Sequence, residues 1–495
     1  MRHTTPFLPS FGPLLFGRSP KSEQAKALEK LKSANTLGDL KAVCADSIPD
    51  ELLSPAAKGA HSRQRQYSLP VLFWAFLAQV LSPNTPCREI VRRVQAWRAA
   101  SDAEFQSSPQ TVAYCKARAK LPEKTLAKIS KYIAQRCERN TPEDALWKGR
   151  HVKIIDGTTI SMPDTPLNQE EYPQPSSQKP GCGFPLMRLV GLFSLASGAL
   201  LEFATGNNHI HETLLFRRLW GFLEKNDILL ADRGFCSFYA LAQLKKQGID
   251  SVIHLNQSRN SDMTKGKKLG PNERLQIWTK PVKPPTGVSE DEFAAVPETL
   301  TVRVVEIHFR AKGFRSQSCL IVTTLLEAEI YTVEALGELY FQRWTVELHF
   351  RELKTFLGME ILRCRSPHMI KRELLMHTIA YNVIRHVMQS ASIRNHKPLG
   401  RISFKGSIDT LRHWAPVLDA ARKSPRKQRR LLLDMLHFIA SDTVPERPNR
   451  SEPRAKKRRP KNYHLLTKPR KSMGHIPRRN RPSKNPRKHP KPSLS

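Results

Sequence analysis

The sequence predicts an α/β fold led by an all-helical unit and trailed by a basic arm, and three observations carry that reading. Apolar residues recur at helical period from Tyr67 to Cys137, strands and helices alternate from His151 to Asn256, and Lys and Arg crowd residues 444–495. At 495 residues the chain exceeds one ordinary core, and at roughly 100 to 200 residues per domain it holds about two to four structural units.

Charge narrows the partner class. Lys and Arg number 81 against 44 Asp and Glu, a formal net charge of +37, so the chain is built to meet a polyanion, nucleic acid foremost. A polybasic membrane-surface role finds no amphipathic basic helix or lipidation motif beside it. The eight cysteines (Cys44, Cys87, Cys115, Cys137, Cys182, Cys236, Cys319, Cys364) lie singly, without CxxC or finger spacing, which argues for a reducing compartment. The longest apolar run, Leu69 to Leu81, is about two-thirds of the roughly 20 residues a bilayer span needs. Pro and Gly interrupt the opening MRHTTPFLPSFGPLLFGRSPK, which argues against a signal peptide or anchor and for a cytoplasmic protein.

Residues 1–65 stay unassigned, although Ser22 to Ser33 reads as helical. Residues 66–146 form the helical unit, with helices over Leu69–Leu81, Cys87–Ala100, Thr111–Leu121 and Glu123–Arg136. Ser108 is placed to cap the third, with Pro109 at its first position. That helix carries Lys116, Arg118 and Lys120, which suit a major groove or, equally, a solvated face on an ordinary bundle.

Residues 147–256 alternate. His151 to Met162 reads as a strand, and Met187 to Gly206 as two strands joined at Ser197-Gly198. A helix follows from about His211 to Glu224, then a strand from Asp227 to Asp232, a helix from Phe238 to Gln247 and a strand from Ser251 to Asn256. Residues 257–331 read as a β-rich insertion, with strand alternation over Glu298–Arg310 and Ser318–Leu326. Residues 332–443 return to helix, from Thr332 to about Leu357 and from Lys371 to Ser390. The segment 444–495 holds 18 Lys and Arg against Glu446 and Glu452, with much Pro and little apolar character, and reads as a disordered basic arm. Such an arm serves as a DNA clamp acting through counterion release or, in a eukaryotic host, as a nuclear address.

Three carboxylates stand out. Asp156, in IIDGTT, and Asp232, in LLADRGF, each end a strand, where an α/β sheet gathers its ligand chemistry; taken singly each also reads as an ordinary turn residue, Asp before Gly being a common turn signal. Tyr340, Arg343, Glu347 and Lys354 are spaced by 3, 4 and 7 and share one helix face, either a working surface or a solvated salt-bridge face. Oxygen donors of this kind suit Mg²⁺ or Mn²⁺, and two such ions roughly 3.5 to 4 Å apart support in-line displacement at phosphorus. Arg343, Lys354, Tyr340 and Arg233 would then bind flanking phosphates. His209, His211 and Glu212 look like a metal cluster but are explained as the start of a helix after Asn207-Asn208. Trp344 and His349 lie off the catalytic arc and read as packing residues.

YFQRWTVELHFRELK, read as Tyr340-x2-Arg343-x3-Glu347-x6-Lys354, resembles the YREK signature of bacterial insertion-sequence transposases of the DDE class, the insertion-sequence-four type. IDGTT around Asp156 and ADRGFCS around Asp232 resemble that family's two aspartate boxes, in order, and the resemblance spans about residues 60–470. It implies an RNase H-like catalytic core, a β-rich insertion between the second Asp and the Glu, and Asp156, Asp232 and Glu347 as catalytic metal ligands. It also implies cut-and-paste movement of an element at its inverted repeats by a homodimer or higher assembly on double-stranded DNA, with a hairpin intermediate in related enzymes. Those enzymes stack a flipped base on an aromatic residue of the insertion, a role for which Trp278 is the candidate, with core packing as the alternative. The rival readings are a DNA-binding descendant without catalysis and a nuclease that cuts without joining.

Overall fold

The computed structural model describes residue 53 and residues 66–99, 108–256, 263–309, 317–421, 424–445, 465–469 and 472–473. Residues 1–52 and most of the basic arm lie outside the described residues. No helix among the described residues is long and apolar enough to cross a membrane.

The first unit is four helices: α1 (Leu69–Leu81), α2 (Cys87–Ala99), α3 (Val112–Ala119) and α4 (Glu123–Arg139). α1 is apolar nearly all round and is buried on every side, as such a helix must be. α3 opens after Thr111, and Ser108 does not cap it; the Ser108 hydroxyl accepts from the Gln110 amide in the preceding turn, at 3.2 Å. Arg118, expected beside Lys116 and Lys120 on a solvated face, turns inward. Its guanidinium lies 4.6 Å over Phe76 and 5.1 Å over Tyr114, while both lysines stay exposed.

The α/β part is one nine-stranded sheet in the order β3-β2-β1-β4-β5-β9-β8-β7-β6. In chain order it holds β1 (Val152–Ser161), α5 (Pro166–Glu171), β2 (Leu186–Ser194), β3 (Leu200–Asn207), α6 (Glu212–Arg217), β4 (Ile228–Ala231), α7 (Phe238–Lys246) and β5 (Asp250–His254). β4 runs parallel to both β1 and β5, and β2 and β3 pair antiparallel on the other side of β1. The β2–β3 connection is longer than a two-residue turn: the Gly198 amide reaches back to the Ser194 carbonyl at 3.0 Å. Gly198 has φ +68°, and the Arg385 guanidinium lies 2.6 Å from where a Cβ would stand, so both backbone and space demand glycine. The helix expected over His211–Glu224 is cut short to α6 and a 3₁₀ turn at Trp220–Phe222.

The insertion contributes β6 (Lys267–Gly270), β7 (Glu273–Thr279), α8 (Glu290–Ala294), β8 (Thr299–Phe309) and β9 (Gln317–Thr323). It forms no separate layer. β9 pairs antiparallel with β5, Val252 opposite Thr323, and so continues the sheet.

Two apolar clusters cover the two faces. Val152, Ile154 and Ile160 of β1, with Leu230 and Val252, belong to one; Ile155, Leu229, Ala231 and Ile253 belong to the other, as strand alternation requires. The first face is covered by α1, α4, the chain from Val333 to Leu357, and α11 (Pro367–Asn395). The stretch expected as one helix over 332–357 is broken into α9 (Val333–Phe341), a 3₁₀ turn (Gln342–Trp344), α10 (Thr345–Arg351) and a π turn (Glu352–Phe356). α12 (Phe404–Ala420) and α13 (Pro425–Ser441) pack against each other, and α11 contacts both.

One buried pair ties the two units. Glu138 of α4 accepts from Lys153 of β1 and, at 3.2 Å, from the Ser197 hydroxyl. Burial works against the charge, but His151 and Lys153 prevail and hold the Glu138 carboxyl down at about 2. Its stabilisation is therefore complete above the ordinary carboxylate range and is lost as pH falls toward 2. Glu138→Gln strands the Lys153 ammonium, and urea unfolding at pH 7 is expected to show a loss of about 3 kcal/mol.

Candidate active site

The sheet register builds the site. β1 and β4 pair with Ile154 opposite Leu230, and β4 and β5 with Ala231 opposite Ile253. Continuing that register brings Asp156, Asp232 and His254 into one row across three neighbouring strands. All three share strand parity with Ile154, Leu230 and Val252, so they face the helices of the first cluster. Asp156 does not end its strand, which runs on to Ser161.

The two aspartates are held differently. The Gly157 amide donates to Asp156 at 2.8 Å, yet burial pushes that carboxyl up to about 6, with Asp232 and Glu212 adding to the shift and Arg343 opposing it. The Arg233 amide donates to Asp232 at 2.7 Å, and His254 Nδ1 stands 3.8 Å away. His254 first, then the backbone and Arg343, holds Asp232 down at about 2. Strand parity in SVIHLN is the signal that would have singled out His254, which sequence reasoning passed over.

Arg343 is the counter-charge to both. It is buried, its guanidinium lies 4.6 Å from the Trp344 ring and 5.9 Å from the Tyr340 ring, and its Nε finds no partner among the described residues. Trp344 is 51 % exposed, so it is no packing residue; it forms the outer plate against which Arg343 lies. Tyr340 is buried with its ring edge-on to His254 at 6.1 Å, and desolvation raises its hydroxyl.

Glu347 is exposed on α10, which packs on β1 through the buried Val346 and Phe350. Lys354 reaches the same strand, donating to Thr158 at 3.3 Å, one strand period from Asp156. Among the described residues no three His, Cys, Asp or Glu side chains gather closely enough to hold a metal ion. The helix below it is anchored from inside. Arg385 of α11 meets Glu352 at 3.1 Å and also contacts His349, and Tyr381 donates to the Gly198 carbonyl at 2.7 Å. His349 is buried in that network, and burial lowers its pKa, in keeping with a packing role.

Arg233 is exposed beside Asp232. Trp278 is not an open stacking platform: it is 9 % exposed, packs in the second cluster, and its indole N–H donates to Gln276 at 3.4 Å. His211 precedes α6 without a capping hydrogen bond, and Asn207 accepts from the His209 amide instead. Glu212 lies nearer the site than expected, its carboxyl 2.6 Å from where a Gly157 Cβ would stand.

Residues 147–383, which contain Asp156, Asp232, His254, Arg343, Glu347 and Lys354, match the family model described as the transposase DDE domain. The chain is similar to the transposase InsG for insertion sequence element IS4 of Escherichia coli (strain K12), with 24 % identity over 456 residues, 90 % of this chain and 98 % of the relative. The putative transposase InsZ of the same organism is 28 % identical over 210 residues, 41 % of this chain and 67 % of that protein. A solved piggyBac transposase synaptic complex with hairpin DNA aligns with TM-score 0.42 and 10 % identity, covering 90 % of this chain and 88 % of that one, a loose likeness. The transposase DDE domain match and the similarity to a transposase along nearly the whole chain support an enzyme that acts on DNA.

Proposed function

We propose that the chain cuts an insertion-sequence element at its inverted-repeat ends and joins them to target DNA, using Asp156, Asp232 and Glu347 on an RNase H-like core. The observation that carries this reading is the row of Asp156, Asp232 and His254 on the sheet face over which the Glu347 helix lies. Strand order supports the RNase H-like part: the antiparallel run β3-β2-β1 is followed by β4 and β5 parallel to β1.

The aspartate pair fits a hard divalent cation. It offers oxygen alone, and the raised Asp156 carboxyl is the mark of a desolvated acid that a cation would relieve. Bound at these carboxylates, Mg²⁺ or Mn²⁺, two ions in this reading, would offset charge on the phosphodiester and lower the pKa of the attacking oxygen. Glu347, on the helix that lies over the pair, completes the carboxylate set, and His254 keeps Asp232 ionised and oriented. Arg343, held flat by Trp344, balances the acids and meets the phosphate; Lys354 and Arg233 grip the flanking backbone. Tyr340 supports His254 from behind. A homodimer or higher assembly synapses two ends, and excision passes through a hairpin at each.

The test is purified protein with Mg²⁺ and DNA carrying its own element ends. Joined products are expected. Cutting without joining would mark a nuclease, and binding without cutting a non-catalytic descendant.

A further inference from the structure

Away from the aspartate row, a cavity of about 310 Å³ opens where α1 and α3 meet the chain that follows the π turn. That volume lies at the lower end of the roughly 300 to 1,000 Å³ of ordinary small-molecule sites. Gln79 and Arg118 of the helical unit, and Arg363, Glu373 and His377 of the later chain, supply its polar lining.

These groups are unevenly satisfied. The acceptors are taken: Gln79 Oε1 accepts from Tyr114 and Arg118, each at 2.9 Å, and Glu373 accepts from the Arg363 and Cys364 amides at 3.0 and 2.9 Å. The donors are in surplus. Arg118 is 9 % exposed, yet its guanidinium bonds only Gln79 and, at 3.8 Å, the Cys364 sulfur, and its Nε finds no partner among the described residues. His377 is 5 % exposed and its Nδ1 is likewise without a partner among them. Burial first, and then Arg363, hold the His377 ring well below its usual range, at about 3, so it is neutral and carries one N–H. Arg363 is exposed and bonds Asn84.

We propose that this cavity binds a small free phosphate, inorganic or a phosphomonoester, with its oxygens on Arg118, Arg363 and the His377 ring. Unmade donors buried beside a cation call for an anionic acceptor, and leaving them unmade costs free energy. Two guanidinium groups against the one Glu373 carboxylate leave positive charge in excess, and the guanidinium fork matches phosphate oxygens. A phosphate within a DNA strand carries a sugar on each side, which a seat as enclosed as Arg118 and His377 does not admit. The bound anion bridges α3 to the chain behind the Glu347 helix.

Isothermal titration of the full chain with sodium phosphate at pH 7.5, with sodium chloride holding ionic strength constant, is expected to show one site per chain with Kd about 1 mM or tighter. Arg363→Gln, on an exposed side chain, is expected to weaken binding about tenfold, and Arg118→Gln to abolish it. Because Arg118 also packs on Phe76 and Tyr114, the Arg363 variant carries the test if Arg118→Gln does not fold. Excess duplex DNA is expected to leave phosphate binding unchanged; displacement would assign the seat to the DNA backbone and overturn the proposal. So would an absence of saturable heat up to about 20 mM phosphate, or binding in Arg363→Gln as tight as in the unchanged chain.

Discussion

Asp156→Asn is expected to abolish DNA cutting, by at least about a thousandfold, while making the metal-free protein more stable at neutral pH. The Asp156 carboxyl has its pKa raised on folding to about 6, so the folded chain holds that proton harder than the unfolded one. Ionising it costs the fold increasingly as pH climbs from the ordinary carboxylate range through 6. Asn removes the charge and still accepts from the Gly157 amide, for a gain of about 1 to 2 kcal/mol at pH 7.5 that shrinks toward pH 4. Asp232→Asn runs the other way: its carboxyl is depressed by His254, so stability present above the ordinary range is lost with the charge. Glu347→Gln, on an exposed side chain, is expected to stop cutting with unfolding nearly unchanged. Urea melts at pH 7.5 and 4.5 with EDTA, beside a cleavage assay with Mg²⁺, separate these outcomes. A D156N variant that still cuts, or that is weaker at both pH values, would refute the assignment.

Arg385→Met is expected to cost about 3 to 5 kcal/mol, because it leaves the Glu352 carboxylate buried without its cation. Glu352 opens the π turn directly after the Glu347 helix, so cleavage is expected to fall along with stability. Adding Glu352→Gln to Arg385→Met is expected to recover part of the loss, since the second change removes the stranded charge. Urea unfolding of the two singles and the double gives the coupling. A loss under about 1 kcal/mol in Arg385→Met would show that the pair does not hold the helix.

Local pattern made much of the fold legible. The strands around Asp156 and Asp232 read plainly as apolar runs, and α1 was bounded by its own composition. What local pattern could not supply was pairing. His254 joins the site through a register between strands more than twenty residues apart, and the insertion joins the sheet through β9 beside β5. Arg118 failed as a surface cation because Gln79, thirty-nine residues earlier, receives it indoors. The helix carrying Glu347 failed differently. A uniform turn of roughly 100° per residue does not hold along it: the chain tightens at Gln342–Trp344 and widens at Glu352–Phe356, where Glu352 is drawn inward by Arg385. Trp278 and Trp344 exchanged fates for the same reason, since exposure is a property of tertiary neighbours.

The packing of α4 against α11 bears on synthesis. α4 ends at Arg139, and the helix that covers it ends at Asn395. At roughly 5 to 20 residues per second, the ribosome takes on the order of ten to fifty seconds to make the intervening chain. Throughout that interval Ile129, Ile133 and Cys137 lack the cover that α11 supplies, and the ribosome-bound nascent protein presents an apolar helix face to holdase chaperones. The closing of this face must therefore wait until the chain through Asn395 has been made.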